Sequence, residues 1–545
     1  MTFNTEIISV EEEPDLFSAY IYQFQRVKSL FSWDPSGNLN GALQARINAY
    51  SARPEMIQIL KNQNSSYKLS ESTIHNLEKL SQDNCLAVVT GQQAGLFSGP
   101  LYTIYKILTV IKLCSKLESE YSDFSFVPLF WMEVGDSDYR EINHIHILDA
   151  ANQLRRLKLP DTPEDFRSVY LRDLPAEIND IHKELREIFV PNDFRDNILN
   201  RVEEIFAPGK KIPQAFAEWI YELLGEFGVI VLNPTDPEFS SMARPVFKSA
   251  LEGQSTIQHE FEQVNQELEN GGFHSQIRME NNQTLLFYRG DNNARLRVDV
   301  DPPGRNYILR SPEKSVKISC DELFRQLDAH PEKFTPNVAL RPLIQDWLLP
   351  TALYVGGPGE ISYAAQLKPL YQLLKVAQPV FYPRVRLTLL EKKIQKALEK
   401  TGLNYQEIFR YRKKLVPFWI QHKSDQRVNH EIDSATFAIQ NILDRLNQNV
   451  INIDPTLESA FEKTSEHIQD GINRLRERVT EAASRKMENE IRQVEKVSSN
   501  LFPEGIFQER MLNIVQYLVK YGPDFINELY KSLNVEQFDH QLIIF

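Results

Sequence analysis

Cysteine is almost missing from this chain, with three residues in 545: Cys85, Cys114 and Cys320. They lie far apart, in no metal-ligand spacing, which argues against a disulfide framework and fits a reducing compartment. Positive charge is in deficit, at 61 Lys and Arg against 74 Asp and Glu, a net −13. That balance speaks against general affinity for nucleic acid or anionic membrane. No apolar run approaches the roughly 18 residues that span a bilayer. The opening residues, MTFNTEIISVEEEPD, are acidic and carry no apolar stretch of signal-peptide type. The expectation is a soluble, cytoplasmic protein that binds neither nucleic acid nor membrane. Internal repeats and low-complexity linkers are also absent.

What is present is ordinary globular material, 42% hydrophobic and 10% aromatic. The length exceeds what one core supports, so two or three units are expected. Five short apolar runs are continuous rather than alternating, as in buried parallel strands. They fall at 86–89, 126–131, 229–232, 352–355 and 380–382. Each passes at once into a polar or glycine-rich turn: TGQQAG, MEVGDSD, NPTDPE, GGPGE and PR. Helical patterns lie between them, including a Leu101, Ile104, Leu108, Ile111 stripe and the stretch 214–226. Strand, turn and helix in alternation predict a doubly wound, Rossmann-like α/β sheet. Such sheets bind ligands beyond the carboxyl ends of their strands, so the five turns should converge on one edge. Residues 1–386 read as this core, with more irregular insertions at about 151–228 and 245–335. The segment LLFYRGDNNARLRVDVDPPGRNYILR within the second reads as a hairpin. From 387 to 545 the character turns to charged helix. Ile468, Ile472, Leu475, Val479 and Ala482 follow 4-3-4-3 spacing, and Ile432, Ile439, Ile442 and Leu446 offer an antiparallel partner. This helical arm either packs on itself or makes a homodimer.

Four stretches carry chemistry. In the first, Thr90, Gly91, Gln92, Gln93, Gly95 and Gly99 lead into a helix, with Gly99 and Pro100 as its cap and first residue. Free N–H groups there and the helix dipole favour an anion; a plain chain reversal is the alternative. Lys106, nearly two turns in, reads as solvated. In the second, Glu133, Asp136, Asp138, Asn143, His144 and His146 follow a strand end. The aspartates could take a substrate ammonium, accept a proton or hold Mg²⁺ beside a phosphate, or merely cap the next turn. No protein-bound transition metal is expected. In the third, Tyr354, Gly356 and Gly357 precede Glu360 near a helix start, flanked by Arg341 and Arg384. Glu360 suits a capping role as well as a base, and each arginine suits a carboxylate, a phosphate or an internal ion pair. The fourth, FPEGIFQERMLNIVQYLVKYGPDF, offers Gln508, Arg510, Asn513 and Tyr521 as a second niche or a packing turn.

The blocks VVTGQQAGLFSGPLYTIYK, VPLFWMEVGDSDYREINH, FTPNVALRPLIQDWLLPTALYVGGPGEISYAAQLKP, YPRVRLTLLE and FQERMLNIVQYLVKYGPDFI resemble, in order, the cysteine-adding enzymes of bacillithiol biosynthesis. The resemblance runs from about residue 85 to the C-terminus. It implies a nucleotidyltransferase-like Rossmann core with connecting insertions and a coiled-coil arm that dimerises. It also implies a reaction joining the carboxylate of cysteine to the amine of glucosaminyl malate. Amide formation from a free carboxylate requires activation, most simply by ATP, with Mg²⁺ as its companion. Carried over by residue, the first block matches through Thr90, Gly91, Gln92, Gln93, Gly95, Gly99, Pro100 and Tyr102. The second departs, because Gly135 and Ser137 stand where the family pattern has glutamate and histidine; Glu133 is the nearest replacement carboxylate. The alternative function is a divergent nucleotide- or metabolite-binding relative with weakened or altered chemistry, and an assembly role for the helical arm is a third reading.

Overall fold

The computed structural model describes all residues except 1–2, 11–14, 51–53, 163–164, 291–292, 303–305, 312–314 and 424–425. Two tips of the expected hairpin region, at 291–292 and 303–305, therefore lie outside the described residues. The chain forms two compact units. The first comprises Met1–Ile7, Glu11–Leu387 and Glu509–Gln541; the second comprises Ile8–Val10, Thr388–Gln508 and Leu542–Phe545.

The first unit is built on a five-stranded parallel sheet. Its strands are β1 (Cys85–Gln93), β2 (Ser125–Glu133), β3 (Ile230–Leu232), β4 (Thr351–Gly356) and β5 (Val380–Pro383), in the spatial order β5-β4-β1-β2-β3. Each expected apolar run falls on one of these strands, Val229 alone preceding β3 by one residue, because a strand covered on both faces needs apolar side chains at every position. The pairing register decides what the strand ends present. β1 and β2 run in step from Cys85 opposite Ser125 to Gln93 opposite Glu133. Gln93 and Glu133 therefore finish side by side. Gly356 of β4 lies opposite Pro383 of β5, which brings Arg384 to the same edge. Helix α1 (Leu101–Glu120) follows β1, and its expected stripe, Leu101, Ile104, Leu108 and Ile111, is buried. Each such side chain removed from water contributes on the order of 1.5–3 kcal/mol.

The insertions add cover. Residues 144–158 form an antiparallel hairpin, His144–Leu148 with Leu154–Lys158, followed by three helices ending in Ile212–Leu224. Gln283–Arg289 and Arg295–Asp301 pair antiparallel, as the hairpin reading anticipated, and belong to a five-stranded antiparallel sheet. Helix α2 (Arg341–Leu348) precedes β4, and the short helix α3 (Pro358–Ala364) follows it.

The second unit is helical. A core of Ile394, Leu398, Phe409, Trp419, Val497 and Phe502 holds its shorter helices. Two long helices, Gln426–Ile453 and Glu458–Lys486, form an antiparallel pair: Arg476 bonds Asp433 while Gln469 bonds Gln440, so the residue numbers rise on one helix as they fall on the other.

Candidate active site

At the carboxyl ends of β1, β2, β4 and β5 the first unit opens into a cavity of about 430 Å³. Its walls include Gly91, Gln92 and Gln93 from β1, Tyr102 and Lys106 from α1, and Trp131, Glu133, Asp136 and Glu141 from β2 and its turn. Arg341, Tyr354, Gly357, Glu360, Tyr363 and Arg384 supply the opposite side, with Arg295, Asn337 and Arg510 at the remaining wall. Four of the five strand-end turns thus reach one cavity. The turn after β3 contributes Pro234 and Thr235 to a smaller adjoining pocket instead.

Most charges here are already paired. Lys106 makes an ion pair with Glu360 and also donates to the Gly91 carbonyl at 2.9 Å and to Gln92 Oε1 at 3.0 Å. Its side chain is only 3% exposed. The expectation of a solvated lysine is therefore corrected: the strand-end carbonyl and a carboxylate from α3 draw the ammonium inward. Glu360 additionally accepts from the Tyr354 hydroxyl at 2.7 Å and from the Gly357 N–H at 2.9 Å, which caps α3. Burial alone would raise its pKa, but Lys106 and the Gly357 N–H hold it below the usual carboxylate range. Burial pulls Lys106 below an ordinary lysine, against the attraction of Glu360. An ionised, fully bonded Glu360 is a poor proton acceptor, so the pair acts as a brace between β1 and α3 rather than as a base.

Arg384 is likewise an internal partner. Its guanidinium holds Glu509 through two bonds of 2.8 and 2.6 Å, both residues being buried. Arg295, which no sequence motif singled out, pairs with Asp136 at 2.8 Å and lies over the Phe287 ring.

Four charged groups of the cavity wall make no direct ion pair among the described residues. Arg341 is buried and bonds only neutral groups, Gln345 Oε1 at 3.1 Å and the Tyr354 hydroxyl at 3.2 Å, beside Tyr363. Arg510, Glu133 and Glu141 likewise form no salt bridge, although Glu133 lies in the field of Arg341 and Arg295. Glu133 accepts from Trp131 Nε1–H at 3.2 Å and from the Gly135 N–H at 3.1 Å. Glu141 has its pKa raised, first by loss of hydration and then by Asp138 and Asp136, against a hydrogen bond from Gln93. A carboxyl held above its ordinary range at a cavity wall is a candidate for proton transfer. Its stretch, DYREIN, carries no signal beyond an acid downstream of a strand end.

Other expected site residues have structural work. Thr90 donates to the Val355 carbonyl at 2.8 Å, tying β1 to β4. Gly356 accepts from the Arg384 N–H at 2.9 Å. The turn at Gly95 and Gly99 does not open on the cavity. Pro100, not Gly99, is the cap of α1, and the Leu101 N–H is taken by the Leu512 carbonyl at 2.8 Å. Gly99 sits at φ +67°, and a Cβ on Gly95 would meet the Gly99 Cα at 3.0 Å. These glycines serve a tight, buried reversal. Asp138 is exposed and caps the helix Tyr139–Ile142. Asn143 is buried, donating to the Leu159 carbonyl and Asp161. His144 lies edge-on to His146 at 5.1 Å on the hairpin, its pKa lowered to about 4 by burial and Arg156. Of the four C-terminal candidates only Arg510 reaches the cavity. Gln508 bonds Leu389 and Asn500 within the second unit, Asn513 donates to the carbonyls of Phe97 and Gly99, and Tyr521 lines a separate groove with Phe227 and Tyr530.

Two family models match the chain. The N-terminal Rossmann-like domain of bacillithiol biosynthesis BshC matches residues 3–385, and the C-terminal coiled-coil domain of BshC matches residues 387–545. Proteins named "Putative cysteine ligase BshC" are similar over nearly the full length. That of Salinibacter ruber is 32% identical over 97% of this chain and 96% of its own. That of Chloroherpeton thalassium is 33% identical over 92% and 91%, and that of Chlorobaculum tepidum 31% over 90% and 88%.

Proposed function

The chain belongs to the bacillithiol biosynthesis BshC family, and from that premise we propose that it is a ligase joining the carboxylate of cysteine to the amine of glucosaminyl malate, with ATP activating the carboxylate. The observation that carries this reading is the pattern of free charge in one cavity. Two cations, Arg341 and Arg510, and two carboxylates, Glu133 and Glu141, make no direct ion pair among the described residues while their neighbours are paired. A zwitterionic amino acid and a polyanionic co-substrate complement such a wall; a neutral metabolite does not.

The roles follow from position. Arg341 takes the reacting carboxylate, and Arg510 takes an anionic group of the acceptor or the nucleotide. ATP, when bound, supplies the leaving group on the carboxylate carbon. Mg²⁺, as the companion of ATP, would be carried by the nucleotide's phosphates and would offset their charge. The acceptor amine then attacks the activated carbon. A C–N bond forms, the C–O bond to the leaving group breaks, and the amine proton passes to the Glu141 carboxylate. Lys106–Glu360 and Arg384–Glu509 hold the frame.

Purified protein incubated with cysteine, glucosaminyl malate and ATP is expected to yield bacillithiol by mass spectrometry, with consumption of ATP. Folded protein that gives no product across pH 6–9 and with Mg²⁺ or Mn²⁺ overturns the assignment.

A further inference from the structure

Two of the charges that make no direct ion pair flank a single indole. Arg341 Cζ lies 5.6 Å from the Trp131 ring centre, and Glu133 accepts the Trp131 Nε1–H. Behind them a second cavity of about 40 Å³ shares Trp131, Glu133 and Pro336 with the main one. Phe239, Phe247, Phe334 and Ile344 form much of its remaining wall. Its other lining carboxylate, Glu332, is within 3.3 Å of His330, and the Thr235 hydroxyl donates to Asn233. Gly135 belongs to the arrangement, since a Cβ there would lie 3.3 Å from Glu133 Oε1.

We infer that this is an α-amino-acid subsite: the carboxylate on Arg341, the ammonium on Glu133, and the side chain in the small pocket. The inference rests on the ligase reading and specifies how the first substrate is chosen. Arg341 and Glu133 bond directly only to neutral groups, and one zwitterion gives each a direct counter-charge, which no single ion would do. A water needs about 10–15 Å³ on this measure, so 40 Å³ admits roughly two or three heavy atoms. The Cβ and Sγ of cysteine fill that space; the four carbons of leucine exceed it. Aromatic walls favour a polarizable thiol, whereas a serine hydroxyl gives up water for few partners. Glu133 also keeps the substrate's own amine protonated, and an ammonium cannot attack a carbonyl. The acceptor amine is thereby left as the nucleophile, and self-condensation is suppressed.

Titration calorimetry of the full chain with L-cysteine, L-alanine, L-serine, L-leucine and 3-mercaptopropionate tests this. Cysteine is expected to bind about 50-fold or more tighter than leucine, on the scale of pocket discrimination by added methylenes. Phe247→Ala should enlarge the pocket and narrow that ratio at least tenfold. Ser240→Leu should fill it and weaken cysteine, with thermal melts confirming that each variant folds. Glu133→Gln should weaken cysteine about tenfold or more while leaving 3-mercaptopropionate, which lacks the ammonium, unchanged. Leucine binding as well as cysteine, an unchanged ratio in both pocket variants, or equal loss of both thiols in Glu133→Gln overturns the subsite. Product assays run in parallel separate the two ideas. Ligation of cysteine with unchanged selectivity in the variants overturns the subsite and spares the ligase. Selective binding without ligation supports the subsite and overturns the ligase. Absence of all amino-acid binding overturns both.

Discussion

At the residue scale, the buried pair Lys106–Glu360 shows how a polar contact can be required without being catalytic. Breaking a buried pair from one side leaves an uncompensated charge and costs on the order of 3–5 kcal/mol. Lys106→Met and Glu360→Gln should each lower the urea midpoint strongly, and the double variant should lose less than the sum. Additive losses would show that the two side chains do not depend on each other. Glu141 should behave in the opposite sense. Its pKa is raised in the folded chain, so its contribution to stability is present below the unfolded carboxyl pKa and is lost as pH rises through the folded value. Glu141→Gln is therefore expected to raise stability slightly at neutral pH while cutting kcat by about 10²–10⁴, and to erase the acidic limb of the pH–rate profile. A variant that keeps that limb assigns the base elsewhere. The roles of Lys106, Glu141 and Arg295 were not legible beforehand. Lys106 reads as solvated because its partner arrives from α3, far along the chain, and Arg295 belongs to an insertion with no motif. Gln92, Gln93, Tyr102, Asp136, Arg341, Glu360 and Arg384, by contrast, were named from their turns and do line the cavity.

At the element scale, the glycines of the first turn divide into two kinds. A Cβ on Gly91 would press on the Trp131 carbonyl at 3.3 Å and approach Arg341 Nη1 at 3.6 Å, at the cavity wall. Gly99 occupies a left-handed conformation away from it, with its carbonyl bonded by Asn513. Gly91→Ala is thus expected to raise KM with little change in melting temperature. Gly99→Ala should cost about 1–3 kcal/mol and several degrees of melting temperature with KM unchanged. The reverse pattern would return the Gly99 turn to ligand binding. The five strands were legible because burial on both faces leaves an uninterrupted apolar run. The cap of α1 was not, since it depends on Leu512 and Asn513 from the C-terminal segment, a contact that no local pattern announces.

At the scale of the whole molecule, the segment Glu509–Gln541 belongs to the first unit although it follows the long helices in sequence. Its anchors are the Glu509–Arg384 pair and the Asn513 bonds to the first turn, so the chain leaves the sheet unit, builds the helical one and returns. Sequence character alone assigned the whole stretch from 387 onward to helix, because charged helices dominate it. Within the second unit the heptad-like spacing has a physical consequence of its own. Two antiparallel helices of 28 and 29 residues can bury only the stripe between them. Phe437 is 71% exposed and Leu475 55%, with Ile442 and Leu446 at 47%. Apolar side chains repeated along a helix pair are stabilised when a second pair covers them, and a second copy of the chain carries the matching face. Sedimentation is therefore expected to give twice the 63.3 kDa of one chain. Phe437→Glu combined with Leu446→Glu should give a monomer with unchanged far-ultraviolet circular dichroism. A parent protein that sediments as a monomer at micromolar concentration, or a dimer untouched by both substitutions, would move self-association away from these helices.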